Sequence, residues 1–152
     1  MKATTKIDWE AWQMPGWRPR LTFADLLYGW RTCGSATLSL ITGLSPVEIE
    51  RRLPRSQRHW STGAAAAFLR KNGWKTALLN PRSISDSLSS FHWDDQTLNN
   101  NHLLLMNCMT SRFEASWFLF ENGKVWHNFS VESTGPLFLL RRPLQDAVLL
   151  RK

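Results

Sequence analysis

The sequence is short of several residue types. Its 152 residues include two cysteines, one tyrosine and only 12 acidic side chains against 19 Lys and Arg. Two cysteines, Cys33 and Cys108, are too few for the disulfide framework of a small secreted domain. One bridge is chemically allowed, but free thiols in a reducing compartment are the expectation. No stretch approaches the roughly 18 apolar residues that a spanning helix needs. Residues 1–10 lack an apolar leader core, with only Ile7 and Trp9 as large apolar side chains beyond Met1. The expectation is a cytoplasmic protein with no membrane segment, in a host cytoplasm or packaged from it into a virion. The four histidines, His59, His92, His102 and His127, have no His or Cys neighbour at ligand spacing, so no metal and no cofactor is expected. There is no internal repeat and no low-complexity tract.

What is present describes one folded domain. Hydrophobic residues make up 43% and charged residues 20%, which is ordinary for a globular chain of this length. Nine tryptophans are many, and most are expected in the core or at its boundary. Net charge is +7, which favours an acidic partner. The basic residues are scattered, however. The densest groups are Arg51, Arg52, Arg55 and Arg58, then Arg141 and Arg142, and such groups are usually solvated faces. A protein or peptide partner is therefore expected ahead of nucleic acid. The oligomeric state is left open.

Residues 1–22 are rich in Trp, Pro and Arg, and Pro15, Gly16 and Pro19 break any long helix. They read as an arm lying on a body formed by residues 23–152. A short helical stretch is expected at 23–29. Helical spacing of Ala36, Leu40 and Ile41 predicts a helix over 33–42, ending before Gly43. Ser45, Pro46 and Glu48 form an N-cap, first-turn proline and capping acid, which predicts a second helix to about Arg52. Thr62 and the run Gly63–Lys71 predict a third, closed by Gly73, and its four consecutive alanines imply close packing. A strand over 75–79 and a loop over 82–101 follow. Strands are then expected at 102–109, 116–121, 124–129, 137–140 and 147–150, the first mostly apolar and so central. Asn122-Gly123 is a strong hairpin signal, because a type I′ turn needs positive φ at both central positions. Helices first and antiparallel strands second is an α+β layout.

The chemistry centres on Cys33. A cysteine at a helix N-terminus has its thiolate stabilised by unpaired amides and the helix dipole. Arg31 adds a nearby positive charge. Such a thiolate is a nucleophile, and a backbone amide beside it can hold an oxyanion. The plainer reading is a small buried space-filler.

The run Cys33-Gly34-Ser35-Ala36-Thr37-Leu38, then Leu40-Ile41-Thr42-Gly43, then Val47-Glu48-Ile49, resembles the nucleophile helix of papain-like cysteine peptidases, closest to their small bacteriocin-processing-type domains. The small-residue helix 63–73 and the hairpin 116–128 have the shape of that family's later elements. The resemblance spans roughly residues 23–150. It implies a papain-like fold, with N-terminal helices packed on a C-terminal antiparallel sheet and Cys33 as nucleophile. Three family positions differ. Ser116 stands where the family has its histidine base, and His127 where it has Asp or Asn. No Gln precedes Cys33 at the oxyanion position, where Leu26 and Leu27 stand.

About the Asn122-Gly123 turn, Phe118 faces His127, and Ser116, Phe118 and His127 share a face. Were that face to meet the Cys33 helix, His127 would approach the thiol with Ser116 or Asn128 orienting it. His102 is the second candidate base. Faces of a two-layer domain cannot both be core, so Trp117 or Trp126 is expected to touch a partner or the arm. The leading expectation is a degenerate, non-catalytic binding module. The alternatives are a thiol hydrolase cleaving a peptide or amide bond, and a basic nucleic-acid-associated protein.

Overall fold

The computed structural model describes residues 8–20, 33–53, 61–79, 101–109, 115–121, 124–127, 130–134 and 144–152. Among these, helices α1 (Cys33–Thr42), α2 (Pro46–Arg52) and α3 (Thr62–Lys71) precede every strand. The strands are β1 (Lys75–Leu79), β2 (Leu103–Met109), β3 (Ala115–Glu121), β4 (Lys124–His127), β5 (Ser130–Thr134) and β6 (Leu144–Arg151). They form one antiparallel sheet in the order β1-β6-β2-β3-β4-β5. The chain is α+β, as its element order predicts, and β2 is an inner strand.

The helix ends follow from local chemistry. Ser45 caps α2 by accepting from the Glu48 amide at 3.2 Å, with Pro46 in the first turn. The cap of α3 is Ser61, which accepts from the Ala64 amide at 3.1 Å, one residue earlier than expected. Thr62 is already helical, and its hydroxyl is buried without a partner. At the far end, the Gly73 amide bonds the Arg70 carbonyl and the Trp74 amide bonds the Leu69 carbonyl. This paired arrangement needs a left-handed residue, and Gly73 supplies it at φ 88°. Trp74 then tucks into the core beside Leu69.

Helix α1 is buried from Gly34 to Ile41, on every side. That explains its weak amphipathic pattern, since a helix enclosed all round has no solvent stripe. Its hydroxyls are satisfied internally. Thr37 Oγ1 donates to the Trp117 carbonyl (3.5 Å), Ser39 Oγ to the Leu44 carbonyl (2.6 Å) and Ser35 Oγ to Glu50 Oε1 (3.4 Å).

Strand alternation sorts the core into two halves. Leu103, Leu105, Trp117, Leu119, Val148 and Leu150 pack under the helices. Leu104, Met106, Phe118, Phe120, Val125 and Leu149 form a second cluster with Trp9 and Trp12 against it. The cover on this second face is a short 3-10 turn, Trp9–Trp12. The chain then rounds the end of the sheet. Gln13 bridges to His102, and the Met14 amide donates to the Asn101 carbonyl at 2.6 Å. Met14 and Trp17 reach the helix-side core, and the Arg20 amide bonds the Leu40 carbonyl at 2.9 Å.

Several expectations change here. Trp117 is buried in the helix-side core, while Trp126 packs against the same cluster as Met14 and Trp17 of the arm and shares Glu121 with Arg18; what changes is that both sheet faces are covered, the second by Trp9 and Trp12. β5 carries a largely polar sequence, so hydrophobic alternation does not reveal it. β6 begins at Leu144, earlier than expected. The expected elements at 23–29 and 137–140 lie outside the described residues, as does most of the loop at 82–101.

Replacing the true cap tests the α3 assignment: Ser61→Ala should cost about 1 kcal/mol in urea denaturation, and Thr62→Ala less. Gly73→Ala should cost about 1–2 kcal/mol, since alanine must enter the left-handed region.

Candidate functional site

Cys33 is the first residue of α1, and α1 lies on the sheet face carrying Trp117 and Leu119. The contact of Thr37 with the Trp117 carbonyl, one turn into the helix, brings this part of α1 over β3.

The candidate bases lie elsewhere. The β3–β4 register runs Leu119 to Trp126, Phe120 to Val125 and Glu121 to Lys124. His127 stacks on Phe118, with ring centroids 4.7 Å apart and planes at 30°. That pairing agrees with the Asn122-Gly123 hairpin register. Phe118, however, belongs to the second cluster, across the sheet from α1. Ser116 is half-buried, pairs with Cys108 across β2 and β3, and by alternation shares the face of Phe118. His102, just ahead of β2, meets Trp9 on that same face.

His127, Ser116 and His102 therefore share one face, and the helix opened by Cys33 packs on the other. The expected meeting of the Ser116–His127 face with the Cys33 helix does not occur. A general base must come within hydrogen-bond reach of its nucleophile, about 2.6–3.2 Å. A layer of strands stands between these side chains and α1. Asn128, Arg31, Leu26 and Leu27 lie outside the described residues.

His102 has a defined structural job. Its Nε2–H donates to the Trp9 carbonyl at 2.6 Å, and its ring meets the Trp9 indole edge-on with centroids 5.4 Å apart. Nδ1 is buried without a hydrogen-bond partner. Burial lowers the pKa of His102 below its ordinary 6.5, opposed in part by the bond to Trp9. The neutral ring, protonated on Nε2, is thus the form that holds the arm.

Sequence reasoning passed over Glu121. It ends β3 only 3% exposed, accepts from Trp126 Nε1 at 3.2 Å, and sits 3.9 Å from Arg18 Nη1. An acid closing an apolar strand just before Asn-Gly was the available signal. Glu121 and His102 line one crevice with Met14, Trp17, Asn101 and Leu103, too tight for a water-sized occupant. Among the described residues, no three His, Cys, Asp or Glu side chains gather as metal ligands, and no helix is long and apolar enough to cross a membrane.

The His102 contact predicts a pH dependence. With its folded-state pKa depressed, the unfolded chain takes up the proton first. The stability from neutral His102 is complete above about pH 6.5 and is lost as pH falls from there through the folded-state pKa. Urea midpoints at pH 8 and pH 5.5 should differ more for the native protein than for His102→Gln, which keeps a donor toward Trp9 but does not titrate.

Comparison of the chain with protein-family models, with curated proteins and with solved structures finds no match.

Proposed function

We propose that this chain is a papain-like domain without hydrolytic chemistry, working as a module that binds a protein or peptide. The observation that carries the reading is the stacking of His127 on Phe118, on the sheet face turned away from α1. The papain-like part is supported by a helix that begins at a cysteine, is enclosed on every side, and rests on an antiparallel sheet. The small-residue helix α3, with Ala65 and Ala66 buried against that core, belongs to the same pattern.

The non-catalytic part follows from proton transfer. A thiol attacks a carbonyl productively when a nearby base accepts its proton and later protonates the leaving amine. The family's histidine position holds Ser116, and both histidines among the described residues pack in the second face with the arm. In this reading α1 is a structural spine that Cys33 opens.

Thiol labelling and turnover separate this reading from an active hydrolase. Cys108 is fully buried and in no disulfide, so iodoacetamide should modify it only on unfolding. Cys33 should react no faster than an ordinary thiol at neutral pH, and Cys33→Ala should leave partner binding unchanged. Cys33 labelling far above that rate, with peptide or amide hydrolysis abolished by Cys33→Ala, would overturn the proposal.

A further inference from the structure

Apart from Arg20, whose side chain lies against Gly43, the arginines of the described residues fall into two kinds. On α2, Arg51 and Arg52 both pair with Glu48, at 3.3 and 2.9 Å, and Arg18 approaches Glu121. Where α3 ends, β1 begins and β6 ends, the cations are held by neutral groups instead. Arg70 Nη1 donates to Thr76 Oγ1 at 2.9 Å. Arg151 Nη1 donates to the Ala11 carbonyl at 2.9 Å, and its guanidinium lies 4.6 Å from the Trp12 ring centre. Lys152 Nζ lies 4.6 Å from the Trp74 ring centre. Lys71 and Lys75 are exposed beside them. None of these five makes an ion pair with an acidic side chain among the described residues.

The group gathers at the end of the sheet where β1 begins and β6 finishes, with Arg70 and Lys152 on the helix side by Thr76 and Trp74 and Arg151 on the arm side by Trp12. Lys75 and Arg151 are register partners, so two like charges stand directly opposite each other across β1 and β6. Such a pair is destabilising in itself. The C-terminus of α3 offsets only about half a charge near Arg70 and Lys71. Hydroxyl, carbonyl and ring contacts orient Arg70, Arg151 and Lys152 without neutralising them, which lowers the entropy lost when they meet an anion.

We propose that this end of the sheet binds the phosphate backbone of a nucleic acid, through Arg70, Lys71, Lys75, Arg151 and Lys152. This goes beyond the reading above and does not depend on the role of Cys33. Phosphate recognition is favoured over a protein or membrane partner because the patch has no apolar centre. Among the described residues, the exposed large apolar side chains are Val47, Leu78 and Val131; only Leu78 is near the group, farther along β1 beyond Thr76, and Trp74 is only 4% exposed. A protein interface or membrane insertion draws on exposed apolar surface, whereas phosphate contacts need only positioned cations. The overall charge of +7 adds long-range attraction of the same sign.

The test is fluorescence anisotropy of a labelled 20-base-pair DNA duplex of arbitrary sequence. Binding should weaken steeply with salt, and each phosphate contact removed should lower the slope of log affinity against log salt by about one. The combined variant Lys71→Ala, Lys75→Ala, Lys152→Ala alters exposed side chains and should fold, as circular dichroism will show. It should bind at least tenfold more weakly than the native chain, with a shallower salt slope. Arg51→Ala with Arg52→Ala, which leaves this patch intact, should bind within about twofold of native. Cys33→Ala should bind as native does, so failure here is separate from failure of the non-catalytic reading. Equal losses in the two sets would reduce the effect to net charge and overturn the site. So would unaltered binding by the triple variant, no duplex binding at low salt, or binding only to vesicles containing anionic lipid.

Discussion

Burial of both faces of the central strands is the constraint on which the other features depend. β2, β3 and β6 alternate apolar side chains to each side, with Leu105, Leu119 and Val148 facing one way and Met106, Phe118 and Leu149 the other. Two covers are therefore needed. Three helices supply the first. The second comes from the N-terminal arm, whose Trp9 and Trp12 lie against the opposite cluster. The tryptophans of the arm thus pack half-buried against the core, and proline and glycine there let the backbone round the end of the sheet. His102 marks the crossing, where side chain and backbone together bind the arm through the Trp9 carbonyl and the Gln13 bridge.

The same constraint decides the candidate chemistry. With both faces occupied, a side chain on one face has no route to the other. His127 spends its ring on Phe118, and His102 spends its proton on Trp9. His102 completes packing on the arm side, where burial favours its neutral imidazole, and His127 lies half-buried against Phe118. Helix α1 is enclosed in its own core, with Ser35, Thr37 and Ser39 turned to internal partners. Cys33 opens such a helix, and Ser116, His102 and His127 lie on the opposite sheet face.

Charge follows a different logic from packing. Around α2, Arg51 and Arg52 share the carboxylate of Glu48 at the spacings typical of a solvated helix face. At the junction of α3, β1 and β6, positive charges accumulate opposite one another and rest on rings, a hydroxyl and a carbonyl. Net charge hinted at an anionic partner, but the basic groups conspicuous along the chain are not the ones that cluster. Arg70, Lys71 and Lys75 are near neighbours in sequence, but Lys75 and Arg151 are brought together only by strand pairing.

The sequence by itself determined the elements whose signals are local. Ser45-Pro46 with Glu48 starts α2, Gly73 ends α3, and the apolar run 103–109 makes an inner strand, because caps, left-handed turns and hydrophobic runs act through near neighbours. The facing of Phe118 and His127 was equally legible, since hairpin register follows from the turn. Less was legible where polar residues form an edge, as in β5, or where two hydroxyls compete for one cap, as Ser61 and Thr62 do. Tertiary structure alone decided which sheet face α1 covers, and hence that Ser116, His102 and His127 lie away from it. Alternation defines two faces but does not label them. The label comes from long-range packing, once α1 takes one face and the arm's tryptophans the other.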